Sequence, residues 1–192
     1  MNRYFFALGL GPAVALGACG GNAPITTVDN IIASDTIVPE NGSDANVVAG
    51  AAAMTGQDFA DAVGAGDAYA VAAGELARQK ATMPALRELG QAMARAHTES
   101  AARLKAAAAR AMPVILPDPR PSAEQVANLE TLRQATGADF DTAYKAQQVA
   151  AQEKALAVME DYAANGTVPA LKAFAVASVP GVQARLDRMR GL

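Results

Sequence analysis

Residues 84–112 read PALRELGQAMARAHTESAARLKAAAARAM, and the spacing of apolar residues in this stretch decides the fold. Leu86, Leu89, Met93, His97, Leu104 and Ala108 recur at intervals that place side chains on one face of an α-helix. Pro84 suits the first turn, where its missing N–H has no intrahelical partner to lose. Pro113, Pro117, Pro119 and Pro121 stop the helix near Met112 and stiffen the connection that follows.

The same periodicity extends on both sides. Upstream, Thr55 with Asp58 resembles a capping box, and a helix is expected from there to about Lys80. Phe59, Val63, Ala70, Ala73 and Leu76/Ala77 share its apolar face. Gly64, Gly66 and Gly74 are its weak points, each costing about 1 kcal/mol against Ala in a helix interior. Gly66 falls on the apolar face itself.

Downstream, Ser122 and Gln125 cap a shorter helix to about Thr136, where Gly137 breaks it. A long helix is expected from about Phe140 to Ala164, with Tyr144, Val149, Gln152, Leu156 and Met159 along its stripe and a stop at Asn165-Gly166. The last helix starts near Pro169 and carries Leu171, Phe174, Ser178, Val182, Arg185/Leu186 and Met189. Pro180 lies inside it and is expected to kink it.

The fold class is therefore all-α. The four long helices form a bundle over residues 55–192, and the short helix lies in the one long crossover, the ferritin-like arrangement. Simple up-down-up-down topology is the alternative.

The N-terminal segment differs in kind. Arg3 precedes an apolar stretch from Tyr4 to Leu16, too short for the roughly 20 residues that span a bilayer as a helix. It reads as a signal-peptide core, with residues 1–18 removed. The stretch ends Leu16-Gly17-Ala18-Cys19, which looks like the processing site of bacterial lipoproteins. Cys19 is the expected lipid attachment site, taking a diacylglyceryl group and further acyl chains such as palmitate. Two or more chains anchor a protein stably where one does so only marginally. A plain secretory signal with an incidental cysteine is the alternative. Residues 19–54, rich in Gly, Asn, Asp, Ser and Thr, read as a disordered tether. The alternative is a strand or a docked segment over 31–38.

Composition narrows the function classes. The 192-residue chain is 52% apolar but only 5% aromatic, so alanine supplies much of its apolar content. A net charge of −3 with no basic run speaks against nucleic acid as a partner. The single cysteine is consumed by the anchor, leaving no free thiol in the domain.

Four segments, taken in order, carry a resemblance: Gly74-Glu75-Leu76-Ala77, then residues 93–98 (MARAHT), residues 140–144 (FDTAY), and residues 171–175 (LKAFA) with Pro180. Residues 55–192 resemble a bacterial envelope family known only as domain of unknown function 4142, grouped with ferritin-like bundles. Members often place a carboxylate on the first long helix and a histidine on each of the other three, a quartet able to hold a metal. Carried onto this sequence, those positions are Ala70, His97, Gln152 and Arg185.

One imidazole, a neutral amide and a permanent cation make a poor metal set, and no Glu-x-x-His pair is present. No metal or other cofactor is therefore expected. His97 is expected to be a buried residue hydrogen-bonded to a neighbour, with Gln152 as its partner. Glu75, Glu99, Glu130, Glu153, Glu160 and Asp161 fall beside polar neighbours and read as solvated surface. No catalytic triad or phosphate loop can be assigned.

The expected function is a lipid-anchored envelope protein, in the outer membrane and facing the periplasm. It is expected not to be an enzyme, to meet the membrane through its anchor, and to bind a protein partner or serve a structural role. The alternative is a ferritin-like metal-binding or redox protein with a degenerate site. A small ligand in an alanine-lined cavity ranks last, because alanine-rich cores are expected to pack tightly.

Overall fold

The structure is a computed structural model that describes residues 53–192. The expected signal peptide (1–18), Cys19 and all of the tether up to residue 52, including 31–38, lie outside the described residues.

Four long helices and one short one follow in order: α1 Gly56–Lys80, α2 Pro84–Ala108, α3 Ala123–Gln134, α4 Gly137–Asn165 and α5 Pro169–Arg190. Thr55 caps α1 by accepting from the Asp58 amide at 3.1 Å. The box is only half made, since the Asp58 carboxylate takes the Thr55 hydroxyl proton, at 2.6 Å, rather than a backbone N–H. The box at α3 is complete between Ser122 and Gln125.

Met83, at the N-cap of α2, offers no side-chain cap. The buried Asp141 of α4 does this instead, accepting from the amides of Thr82 at 2.9 Å and Met83 at 3.1 Å and from the Thr82 hydroxyl. A carboxylate at a helix N-terminus also meets the positive end of its dipole.

Two boundaries differ from expectation. Helix α2 stops at Ala108 rather than Met112. Pro113 disfavours a helical Met112, and the chain turns so that the Ile115 amide reaches the Ala108 carbonyl at 3.3 Å and Ile115 packs on the core. Helix α4 begins at Gly137 itself, whose φ of 60° allows the turn out of α3. Helix α5 continues through Pro180.

Gly74 is a requirement of the α1–α2 crossing. A Cβ there would lie 2.5 Å from the Gly90 carbonyl oxygen, and one on Gly90 would lie 2.6 Å from Ala77 Cβ. The two backbones touch at this point because neither residue has a side chain.

Contacts along the bundle fix the topology as the ferritin-like one. Phe59 near the start of α1 stacks on Tyr162 near the end of α4, at 4.0 Å between ring centroids. Lys80 at the end of α1 lies over Phe140 at the start of α4, 5.5 Å from the ring centroid, and donates to the Leu132 carbonyl at the end of α3. Thus α1 and α4 run antiparallel, α2 and α4 parallel, and the crossover with α3 returns the chain to the end where α2 began.

Apolar residues form two clusters. One is built around Phe59, Leu104, Tyr162 and Leu171, the other around Tyr69, Leu86, Leu89, Met93 and Phe140. No helix among the described residues is long and apolar enough to cross a membrane.

Candidate functional site

A polar layer contributed by all four long helices lies between the two clusters. Asp67 of α1 and His97 of α2 are 4% and 5% exposed, and Gln152 of α4 is 1% exposed. His97 Nδ1 lies 2.7 Å from Asp67 Oδ1. His97 Nε2 lies 3.2 Å from Gln152 Nε2. Arg185 of α5 donates through Nε to Gln152 Oε1 at 3.3 Å.

The proton positions follow from one fact. Arginine has donors only. Gln152 must therefore turn its oxygen to Arg185 and its NH2 to His97. His97 Nε2 must then accept, which places the ring proton on Nδ1, where it is donated to Asp67. The four side chains form one chain of donors, all pointing from Arg185 toward Asp67.

Asp67 Oδ2 is buried and has no partner among the described residues. Asp67, His97, Gln152 and Arg185 all line a cleft of about 1100 Å³ that reaches along the bundle interior to the side of α3. Alanines make up much of its wall, including Ala70, Ala107, Ala151, Ala155, Ala173 and Ala177. The expectation that an alanine-rich core leaves no cavity is thereby corrected. Four helices held apart by bulky residues in the two clusters leave unfilled space where only methyl groups project between them.

Burial pushes the Arg185 guanidinium below its ordinary value, with Asp67 working against this shift and Arg103 adding to it. Arg103 also lines the cleft and makes no hydrogen bond or ion pair among the described residues. Among the described residues neither guanidinium has a carboxylate within 4.0 Å.

Residues 42–192 match the model of a family described as "Domain of unknown function (DUF4142)". The chain belongs to that family. No curated protein matches it. Among solved structures, this DUF4142 bundle is similar to one described as "CopM in the Cu(II)-bound form". The TM-score is 0.60 at 19% identity, covering 71% of this chain and 94% of that one. At that identity the likeness concerns the fold.

The quartet positions carried over from the family resemblance correspond to this layer with one correction. Ala70 is buried on the inner face of α1, but the carboxylate meeting His97 comes from Asp67, almost one turn earlier. Gln152 pairs with His97 as expected, and Arg185 joins them. The signal for Asp67 was present in the sequence: it stands four residues after Val63 and three before Ala70, in the gap of an otherwise apolar stripe.

The donor chemistry does not fit a metal at this layer. Both ring nitrogens of His97 are engaged, Gln152 presents its NH2 to the imidazole, and Arg185 brings a positive charge. Among the described residues no three of His, Cys, Asp and Glu gather to form an alternative set.

A second polar group was not foreseen. Gln148, one turn before Gln152, is fully buried, and both its amide atoms lack partners among the described residues. It lies near Tyr69, whose hydroxyl donates to Gln147 Oε1 at 3.1 Å and whose pKa burial pushes up to about 12. The Tyr144 hydroxyl, also unpartnered, is pushed up by burial as well.

Proposed function

We propose that this DUF4142 chain is a lipid-tethered binding protein of the bacterial envelope that takes a small ligand into the cleft between its helices. In this reading Cys19 carries the lipid, the protein sits in the outer membrane facing the periplasm, and it catalyses no reaction. The cleft, walled by alanine and bordered by a buried polar layer, carries the proposal. Ligand sites are concave and mostly apolar, with a few placed polar groups. The absence of catalysis is supported by His97, which has no ring nitrogen left to activate Ser100 on the same wall.

Native mass spectrometry of the chain released from its own membranes tests ligand binding. A non-covalent adduct is expected on the natural chain and weaker or absent on Ala155→Phe, which places a ring across the cleft interior. Adduct-free spectra for both overturn the proposal. Cys19→Ser is expected to move the protein from the membrane to the soluble fraction, and unchanged partition removes the tether.

A metal-binding or redox protein with a degenerate site is the second reading, favoured as a class by the similar bundle solved in a Cu(II)-bound form. Stoichiometric metal in untagged protein prepared without chelators, lost in His97→Leu, would establish it over the first.

A further inference from the structure

We infer that the cleft selects an apolar acid, a molecule with a hydrocarbon body and a single anionic head, and that Arg185 and Arg103 receive the head. This rests on the cleft being a ligand site, as proposed above, and adds the class of ligand.

Arg185 enters the interior from α5 and spends only Nε, on Gln152, leaving its terminal N–H groups without a partner among the described residues. Arg103 reaches the same wall from α2, close enough for the two guanidiniums to oppose each other's charge. Arg185 is half-buried and Arg103 exposed, and an anion beside the half-buried guanidinium would offset both its desolvation and the repulsion from Arg103. Asp67 is the one buried carboxylate nearby, and its Oδ1 is held by His97. Of the other cleft cations, Lys154 of α4 already has Glu124 at 3.4 Å, and Arg110 is exposed and donates to the Ala106 carbonyl of its own helix.

Polar residues of the wall such as Glu99 and Glu124 are exposed on its outer side, and the inner surface is largely apolar. Val63, Met159, Phe174 and Val182 continue the alanine surface, which suits a hydrocarbon chain. The charged end of the occupant would meet planar donors able to bind a carboxylate at two points.

Calorimetric titration of the full chain with dodecanoate, dodecanol and dodecyltrimethylammonium, each below its micelle concentration, tests the inference. Dodecanoate is expected to bind, the alcohol to bind about tenfold more weakly, and the ammonium not measurably. Arg185→Met is expected to weaken dodecanoate about tenfold while leaving dodecanol unchanged, and Arg185→Lys to recover part of the loss. Helix content by circular dichroism is compared for each variant.

Equal binding of acid and alcohol, insensitive to Arg185→Met, overturns the inference and leaves the cleft as a ligand site. Binding of none of the three also overturns it, and the adduct measurement above then decides separately whether the cleft holds a ligand at all.

Discussion

Three glycines of α1 provide a paired test of how this bundle is built. Gly66 and Gly74 sit eight residues apart in the same helix, and Gly→Ala at either gains about 1 kcal/mol of helix propensity. At Gly66 an added Cβ meets nothing within 4 Å, so the gain is kept. At Gly74 it would meet the Gly90 carbonyl at 2.5 Å, and the Ala94 amide nitrogen at 3.1 Å.

Restoring ordinary contact at Gly74 means moving two helix backbones apart by about 0.9 Å. Overpacking of this kind costs about 1–3 kcal/mol when side chains can yield. Here the obstacle is backbone, so the upper end applies and the net loss is about 2 kcal/mol. At about 3 °C per kcal/mol for a domain of this size, Gly66→Ala should raise Tm by about 3 °C and Gly74→Ala lower it by about 6 °C. Thermal and urea unfolding followed by circular dichroism at 222 nm measures both. Shifts of the same sign for the two variants would refute the close-crossing account. Gly64→Ala, whose added Cβ would lie 3.2 Å from the Asp118 carbonyl oxygen, should fall between them.

Three further outcomes are expected. Gln148→Met, nearly the same size, should stabilise by about 1 kcal/mol because it removes a buried amide without partners; destabilisation would show that the amide is satisfied. Burial alone would raise the Asp141 carboxyl, but hydrogen bonds from Thr82 and Met83 outweigh it and hold its pKa below the usual carboxylate range. Its contribution is therefore complete above the unfolded value of about 4 and lost as pH falls through the folded one. Asp141→Ala should cost about 2 kcal/mol at pH 7, and the cost should shrink steadily as pH falls below about 4; a cost independent of pH rejects this. The single histidine makes the last test direct: 15N NMR should show His97 protonated on Nδ1, and an Nε2–H ring would break the donor chain from Arg185.

The helices were legible because their punctuation is local. Proline at the first turn, Ser122 with Gln125, and Gly137 act within a few residues, and the structure places all three at helix ends. The return of the crossover followed from its length. What local pattern does not carry is contact between helices. Asp141 is the fifth residue of its own helix, and nothing near it announces that it caps another. Gly74 counts as a weakness until Gly90 is known to cross it. Asp67 was readable by register alone, whereas the unpartnered Gln148 and the cleft depend on how far apart four helices come to rest.

Polar contacts at the bundle's waist also decide how its helices line up. Methyl groups on one turn resemble those on the next, so a core rich in alanine has little to oppose a slide of one turn, about 5.4 Å. Such a slide would break links of 2.7, 3.2 and 3.3 Å and leave a buried carboxylate, imidazole and amide without their partners. The four residues thus serve as an index mark, allowing a repetitive sequence to settle into a single alignment.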